Sequence, residues 1–374
     1  MGTLSMLTTA ARGHVRTFVA RDIPHVARLH RTVFDTAARA GASWLDMYSA
    51  YLTRVFLENP TRHPALPSLV HEDEDGSIAG FLGVVSRPMT MNGRRFQAAI
   101  SSQFVVAPCG HAGLIALRLA RAFLEGPQDL AISDEANDTS RRIWEGLGGS
   151  TSLLHSLYWT RPLRPARLAV AMLRRRVRLA PLAVTAAPFA PFLDAIAMRV
   201  ARRELGGASP DVSSAEELTE RTVLACLPRC TRPGTLRVEY DERTLAWSFE
   251  HAKRRAGSGA FHAASVRKGE RVVGWYLYCV DAEHVAQVVQ IAAEPLRVHD
   301  VLDQLFAQAA RDGANAVSGR VDPSQLQALT DRHCLLHRRG PWVLVSTKHP
   351  DLLRSFQTGE ACFSRLDGEW CLGF

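Results

Sequence analysis

Two short segments, far apart in the chain, share one residue pattern. Residues 78–84 read IAGFLGV and residues 272–278 read VVGWYLY, so each has an apolar pair, a glycine, an aromatic residue and more strand-forming residues. The same order follows both segments: a long strand, a helix, a short strand and another helix. At 374 residues the chain is long enough for two domains with separate cores. We therefore predict an α/β protein built from two copies of one fold.

A glycine-containing turn distinguishes the first copy. Residues 104–124, FVVAPCGHAGLIALRLARAFL, run from a strand through a loop with Gly110 and Gly113 into a helix. Loop N–H groups and the dipole of a following helix converge on anions, so this arrangement is typical of phosphate sites. The loop has neither the Gly-Lys-Ser/Thr of a Walker A sequence nor the three glycines of the dinucleotide pattern. In the second copy, residues 293–296 (AEPL) replace it.

Composition divides the chain into three parts. Residues 1–160 are predicted to form the first copy, which ends with a strand at residues 153–159. Residues 161–235 are predicted to be a helical, arginine-rich connector. Residues 236–374 are predicted to form the second, degenerate copy, which includes a strand at residues 342–346.

The basic charge is confined to the connector. Of the net charge of +8, the segment from Arg161 to Arg203 contributes ten arginines, no lysine and a single acid, Asp194. The rest of the chain is therefore close to neutral, whereas nucleic-acid binders spread basic residues over a face. We predict no nucleic-acid partner and keep a membrane surface, bound through residues 161–203, as an alternative.

The cysteines and the N-terminal residues indicate the cellular compartment of the protein. The seven cysteines form no CxxC pair and show no metal-ligand spacing with histidine, and the first residues contain no continuous apolar stretch. These features predict a reduced, cytoplasmic protein without a metal.

Four segments together resemble the GNAT (GCN5-related N-acetyltransferase) superfamily. They are VRTFVARDIPHVARLHRTVF near the start, the hairpin with IAGFLG, the strand SSQFVVAP before the glycine turn, and NDTSRRIWEGLGG, which is similar to a later helix of the family. The resemblance covers residues 15–160 and, in element order only, residues 236–346. It implies a tandem GNAT-like protein.

The resemblance implies an N-acyltransferase, most simply an acetyltransferase, that uses acetyl-CoA or another acyl-CoA as co-substrate. The acceptor would be a small-molecule amine or amino sugar. The residues implied to bind CoA are Phe104, Val105 and Val106 through the strand backbone, and His111, Ala112, Gly113 and Leu114 through loop amides. Asn137 and Ser140 either cap a helix or contact CoA.

Four residues are candidates for the chemistry. Gln103 either positions the amine or a water, or is a polar residue at the edge of the core. Asp134 and Glu135 follow a strand at the edge where open α/β sheets bind ligands, so one is a candidate base; the alternative is a pair of solvated loop carboxylates. A resemblance to tandem GNAT enzymes of the enhanced-intracellular-survival type adds the terminal carboxylate of Phe374.

The tail that carries Phe374 has two interpretations. Residues 363–374 (FSRLDGEWCLGF) are rich in apolar side chains and are predicted to pack back on the protein. They form either a strand that closes the second copy or a segment that brings the terminal carboxylate to the active site, with Asp367 or Glu369 as substitutes.

Two departures from the family support a non-catalytic alternative. No arginine or glutamine opens the glycine turn, and Trp144 stands where the family has a tyrosine that acts as general acid. A catalytically degenerate acyl-CoA-binding or scaffold protein therefore remains the second hypothesis.

Overall fold

The computed structural model describes residues 13–34, 42–174, 187–195, 213–256 and 260–374, together with Thr185. Within these residues the strands are β1 (Gly13–Thr17), β2 (Leu69–Asp73), β3 (Ile78–Met91), β4 (Arg94–Val106), β5 (Leu130–Ala136), β6 (Ser150–Thr151), β7 (Tyr158–Pro162), β8 (Ser213–Glu217), β9 (Leu236–Val238), β10 (Phe261–Lys268), β11 (Arg271–Val280), β12 (Val285–Ala293), β13 (Ala316–Arg320), β14 (Leu335–His337), β15 (Trp342–Thr347) and β16 (Ala361–Cys362). The α-helices are α1 (Ile23–Val33), α2 (Ala42–Leu52), α3 (Ala112–Leu124), α4 (Asp138–Gly146), α5 (Pro165–Arg174), α6 (Glu220–Cys230), α7 (Glu242–Ala256), α8 (Val298–Arg311), α9 (Leu326–Asp331), α10 (Pro350–Thr358) and α11 (Glu369–Leu372).

The strands form two mixed sheets. The first has the order β1-β2-β3-β4-β5-β15-β6, with β9 beside the far end of β3 and β16 beside β9. The second has the order β14-β7-β13-β12-β11-β10-β8. The central pair is parallel in both sheets, β4 with β5 and β12 with β13. The predicted α/β class with two copies of one fold is confirmed.

The two halves of the chain exchange one strand each. β7, from the first half, lies between β13 and β14, and β15, from the second half, lies between β5 and β6. The prediction that residues 153–159 form a strand closing the first copy is wrong, because Leu154–Ser156 is a 3₁₀ turn and the strand that follows it enters the second sheet. There Trp159 is buried against Phe306. Strand pairing thus crosses the predicted boundaries at residues 160 and 236 in both directions.

Helices cover both faces of the first sheet. On one face, Val26 of α1 and Tyr48 of α2 pack with Phe81 of the sheet. On the other, Leu119 of α3 and Trp144 of α4 pack with inward-facing residues of β3 to β5. Full burial of each such side chain contributes about 1.5–3 kcal/mol relative to exposure, so this layered packing fixes the positions of the strand ends.

The predicted connector is described at residues 161–174, 187–195 and 213–235 and at Thr185, and its strand β8 pairs with β10 in the second sheet. Helix α5 begins at Pro165, and the Asp194 carboxylate accepts from the amides of Ala166 (2.7 Å) and Arg167 (3.3 Å) in its first turn. Six of the ten connector arginines fall outside the described residues: Arg175, Arg176, Arg178, Arg199, Arg202 and Arg203. Among the helices that are described, none is long and apolar enough to cross a bilayer.

Candidate active site

The first sheet opens between β4 and β5. The two strands pair only over Ala98 to Ile100, opposite Leu130 to Ile132. Beyond this point β4 pairs with β3 and β5 pairs with β15, which leaves one edge of β4 open. The three strand residues predicted to bind CoA (Phe104, Val105 and Val106) lie on this stretch. Its backbone N–H and C=O groups can pair with an extended ligand that carries amides.

A bulge in β4 places Gln103 at the opening. The register between β3 and β4 shifts between Phe81 and Gly83, so β4 holds an extra residue here. Gln103 has φ +54°, a left-handed conformation that costs a residue with a side chain about 1 kcal/mol or more. Its side-chain Oε1 accepts from the Tyr48 hydroxyl (2.9 Å), and its backbone N–H donates to Glu369 Oε1 (3.2 Å). The bulge thus directs an amide towards the C-terminal segment.

Asp134 is fully buried at the end of β5 and is not a solvated loop carboxylate. Its Oδ2 accepts from Arg320 Nη1 (2.8 Å), and its Oδ1 accepts from the backbone N–H of Glu369 (2.6 Å). Arg320 also donates to the carbonyl of Phe363 (3.1 Å). A buried carboxylate with a guanidinium partner and a further donor is held in place, so Asp134 anchors the C-terminal segment across the opening.

Glu135 and Glu369 are the other carboxylates here. The nearest cation to Glu135 is Arg365, whose Nη2 lies 3.7 Å from Oε1, and burial raises the pKa of Glu135. Burial, together with the negative charges of Asp134 and Glu135, raises the pKa of Glu369 to about 8. A carboxyl group with such a pKa can take up and release a proton near neutral pH, as general base catalysis requires.

The C-terminal tail packs back on the protein as predicted, but the strand interpretation is wrong. After β16 the chain forms the short helix α11, and Phe363, Leu366 and Trp370 are buried. Asp367 is also buried, and its carboxylate accepts from the Tyr240 hydroxyl.

The chain end lies on α2. The ring of Phe374 is 4.9 Å from that of Tyr48 and 5.2 Å from that of Tyr51, measured between centroids. The Tyr51 hydroxyl donates to the carbonyl of Leu372 (2.6 Å). The aromatic side chains of α2 therefore hold the last residues beside Gln103.

The glycine turn lies at the outer end of the same strand. Two of the four loop amides predicted to bind phosphate are used within the turn: Ala112 N–H donates to the Cys109 carbonyl (3.1 Å) and Leu114 N–H to the His111 carbonyl (2.9 Å). Among the described residues, the amides of His111 and Gly113 have no acceptor. A Cβ added at Gly113 would meet no atom within 4 Å, so the space in front of this turn is open.

Comparison with solved structures identifies the architecture. A GCN5-related N-acetyltransferase from Kribbella flavida matches with TM-score 0.51 and 14% identity, over 89% of this chain and 70% of that one. A conserved protein of unknown function from Enterococcus faecalis V583, described as a probable N-acyltransferase, matches with TM-score 0.56 and 9% identity over 92% and 74%. A GCN5-related N-acetyltransferase from Anabaena variabilis ATCC 29413 matches with TM-score 0.56 and 10% identity over 89% and 72%.

This chain has a GNAT-like fold. The identities are low, so the likeness concerns the fold. No family model matches the chain, and no curated protein matches its sequence.

Helix α4 contains two features considered in the sequence analysis, the Asn137 and Ser140 pair and Trp144. Asn137 caps the helix, since its Oδ1 accepts from the Ser140 amide (2.8 Å), which is the structural alternative for this pair. Trp144 is 2% exposed and packs 5.8 Å from the Phe123 ring, measured between centroids. The position at which the resemblance implies a tyrosine is therefore part of the apolar core.

Sequence reasoning missed three residues of the site. Tyr48 and Tyr51 lie on the buried face of α2, where the spacing of apolar residues predicts only packing in the core. Arg320 belongs to the second copy and lies 186 positions from Asp134, so no local pattern connects them. Glu369 was expected only as a substitute for the terminal carboxylate.

Proposed function

We propose that this protein is an acyl-CoA-dependent N-acyltransferase that acts at the opening between β4 and β5. The proposal rests on one observation, that this opening is continuous along the edge of β4. The open edge of β4 leads from the Gln103 bulge to a turn with two unpaired amides at the start of α3, which suits pantetheine along the strand and a pyrophosphate on His111 and Gly113.

Glu369 is proposed as the general base. A neutral amine attacks the thioester carbon, the bond between carbon and sulfur breaks, and Glu369 takes the amine proton and returns it to the leaving thiolate. This shuttle removes the need for an acid at Trp144. The amide of Gln103 is proposed as the donor to the developing oxyanion once a thioester displaces the Glu369 carboxylate from it.

Asp134, Glu135 and Phe374 have supporting roles in this scheme. Asp134 positions Glu369 through its backbone amide, and the charge of Glu135 helps to keep the pKa of Glu369 high. The terminal carboxylate of Phe374 is the alternative base. Carboxylates beside the aromatic rings of Trp44, Tyr48 and Phe374 favour an acceptor that carries an amine, such as a small amine or amino sugar.

Calorimetry with acetyl-CoA tests the cofactor site. Gly113→Glu should abolish binding, because a side chain and a negative charge would both face the pyrophosphate. The matched control is Leu296→Glu, at the corresponding turn of the second copy, where the side chain is 92% exposed; it should leave the affinity unchanged. Unchanged affinity in Gly113→Glu would show that this turn does not bind the pyrophosphate of CoA.

A protein that binds acyl-CoA without transferring the acyl group is the second candidate. The burial of Trp144 and the engagement of the Gln103 amide by Glu369 favour it. Release of free thiol from acetyl-CoA, measured with a panel of amines and amino sugars, separates the two. Acetyl-CoA binding with no amine-dependent release would establish the binding protein.

A further inference from the structure

The second sheet also has an opening between its central strands, and a cavity lies at that opening. β12 and β13 pair only over Val285 to Gln287, opposite Ala316 to Ser318, and then separate. A cavity of about 400 Å³ lies there, lined by the end of β12, the end of β13, β9 with the turn before it, and residues 359–367. Cavities of this size bind small organic molecules. Neither the acyl transfer nor the glycine turn uses this space.

The polar groups at the base of this cavity satisfy one another. Trp275 Nε1 donates to Gln290 Oε1 (2.9 Å), and Gln290 Nε2 donates to Tyr240 (3.2 Å) and to Ser364 Oγ (3.1 Å). Asp367 accepts from the Ser364 amide (2.7 Å). A network with matched donors and acceptors is rigid and does not itself require a ligand.

The acids that line the cavity have partners. Besides Asp367, Asp322 accepts from the Ser324 amide (2.9 Å), and Glu360 accepts from Thr358 Oγ1 (3.1 Å). Each of these three carboxylates therefore accepts at least one hydrogen bond from the protein itself.

One partly buried arginine lacks such a partner. Arg237 donates only to the carbonyl of its neighbour Val238, at 3.4 Å, and no carboxylate within the described residues lies in ion-pair distance of it. Arg320, by contrast, is paired with Asp134. A partly desolvated guanidinium without an anion is the group that an anionic oxygen would satisfy, by a charge-assisted hydrogen bond.

We infer that the second opening binds an organic anion, a carboxylate with an apolar body. The carboxylate lies on Arg237 and the apolar body contacts Val288, Ile291 and Phe363, which line the same cavity. A second CoA does not fit this description. Where the first copy has its glycine turn, the second has Glu294, whose carboxylate is bonded to Arg229 (2.9 Å) and Arg271 (2.7 Å) and whose amide donates to the Val273 carbonyl (2.9 Å), so this amide is not free for a phosphate.

Octanoate, with octanol and octylamine as matched neutral and cationic probes, tests the inference by ligand-observed NMR on the full chain. Octanoate should bind, and the other two should bind at least tenfold more weakly. Arg237→Gln should reduce octanoate affinity about tenfold or more. Arg243→Gln, an exposed position on α7 outside the cavity lining, is the matched control and should not change it.

Thiol alkylation locates the bound probe. Cys362 lies opposite Arg237 in the β16–β9 pair and lines the cavity, whereas Cys109 is exposed at the glycine turn of the first copy. Burial raises the pKa of the Cys362 thiol, so the reaction is run at alkaline pH and followed over hours. Octanoate should slow iodoacetamide modification of Cys362 and leave that of Cys109 unaffected, as read by peptide mass spectrometry. The inference is overturned by equal binding of octanol, by unchanged affinity in Arg237→Gln, or by protection of Cys109 in place of Cys362.

Discussion

The two openings occupy the same place in their sheets, and they are built differently. Strand pairing ends at Ile100 in the first opening and at Gln287 in the second. Counted from these ends, Gln103 and Gln290 stand at the same strand position. The side chain of Gln103 accepts from Tyr48 and its amide faces Glu369, whereas the side chain of Gln290 is fully engaged by Trp275, Tyr240 and Ser364.

The difference continues beyond the strands. The first opening leads to a turn with unpaired amides, and the second leads to the Glu294 carboxylate and its two arginines. Backbone groups left free suit a ligand that is itself an extended chain, while at the second opening side chains bonded to one another border a cavity. Two copies of one fold therefore share the opening and differ in the groups that line it.

The same count places Asp134 and Arg320 at equivalent positions, and these two residues pair with each other. We predict that Asp134→Ala destabilises the protein by about 3–5 kcal/mol, because it leaves a buried guanidinium without its anion. Urea denaturation measures the change. Glu242→Ala, which removes the exposed partner of Arg221, is the control and should cost less than about 1 kcal/mol.

A loss below about 1 kcal/mol in Asp134→Ala would show that the two copies are not joined at this pair. The double variant Asp134→Leu with Arg320→Met sharpens the test. Replacing both charges with apolar groups should recover much of the loss, since no uncompensated charge remains.

The next prediction concerns the rate of acyl transfer at the first opening. Glu369→Gln should lower kcat about 10²- to 10⁴-fold and leave acetyl-CoA affinity unchanged, because the proton acceptor is lost while the acceptor for the Gln103 amide is kept. Glu360→Gln, at the second opening, is the matched control. Deletion of Phe374 alone distinguishes the two candidate bases: a loss there, with full activity in Glu369→Gln, would assign the base to the terminal carboxylate.

Much of the fold could be predicted because it depends on local sequence patterns. Strand and helix periodicities, the IAGFLGV and VVGWYLY segments and the glycine turn each depend on neighbouring residues. The strand exchange could not be predicted in this way. β7 and β15 are both short strands, and their backbone hydrogen bonds fit either sheet. The sheet that each joins depends on the path of the chain between residues 157 and 342.

Part of the candidate site could be located from the sequence for the same reason. Gln103, Asp134 and the loop residues stand at strand ends that pattern can locate. Their partners Tyr48, Arg320 and Glu369 come from a helix of the first copy, a strand of the second copy and the chain terminus. The burial of Asp134, on which its role depends, follows only once these segments meet.

The pH dependence of stability tests the environment of Glu369. Its pKa is about 8 in the folded protein, against an ordinary value of 4.5, so the folded state binds the proton more tightly between these values. The free energy of unfolding should therefore fall as pH rises from about 5 to 9. In Glu369→Gln the fall should be smaller, and Glu135 and Asp367, whose pKa values burial also raises, contribute to what remains. An identical slope in both proteins would contradict the burial of this carboxyl.

The smallest effect concerns the helix caps that follow β5 and β13. Asn137 accepts from the Ser140 amide and Asp322 accepts from the Ser324 amide, so each copy has a capping side chain after the corresponding strand. Asn137→Ala and Asp322→Ala should each cost about 1 kcal/mol in unfolding free energy, the ordinary value of an N-cap. If Asn137 is only a cap, Asn137→Ala and Asp322→Ala will both bind acetyl-CoA as the wild type does. A weaker affinity in Asn137→Ala alone, at equal loss of stability, would show that the first copy uses this residue for the cofactor, and the two openings would then differ at one more position.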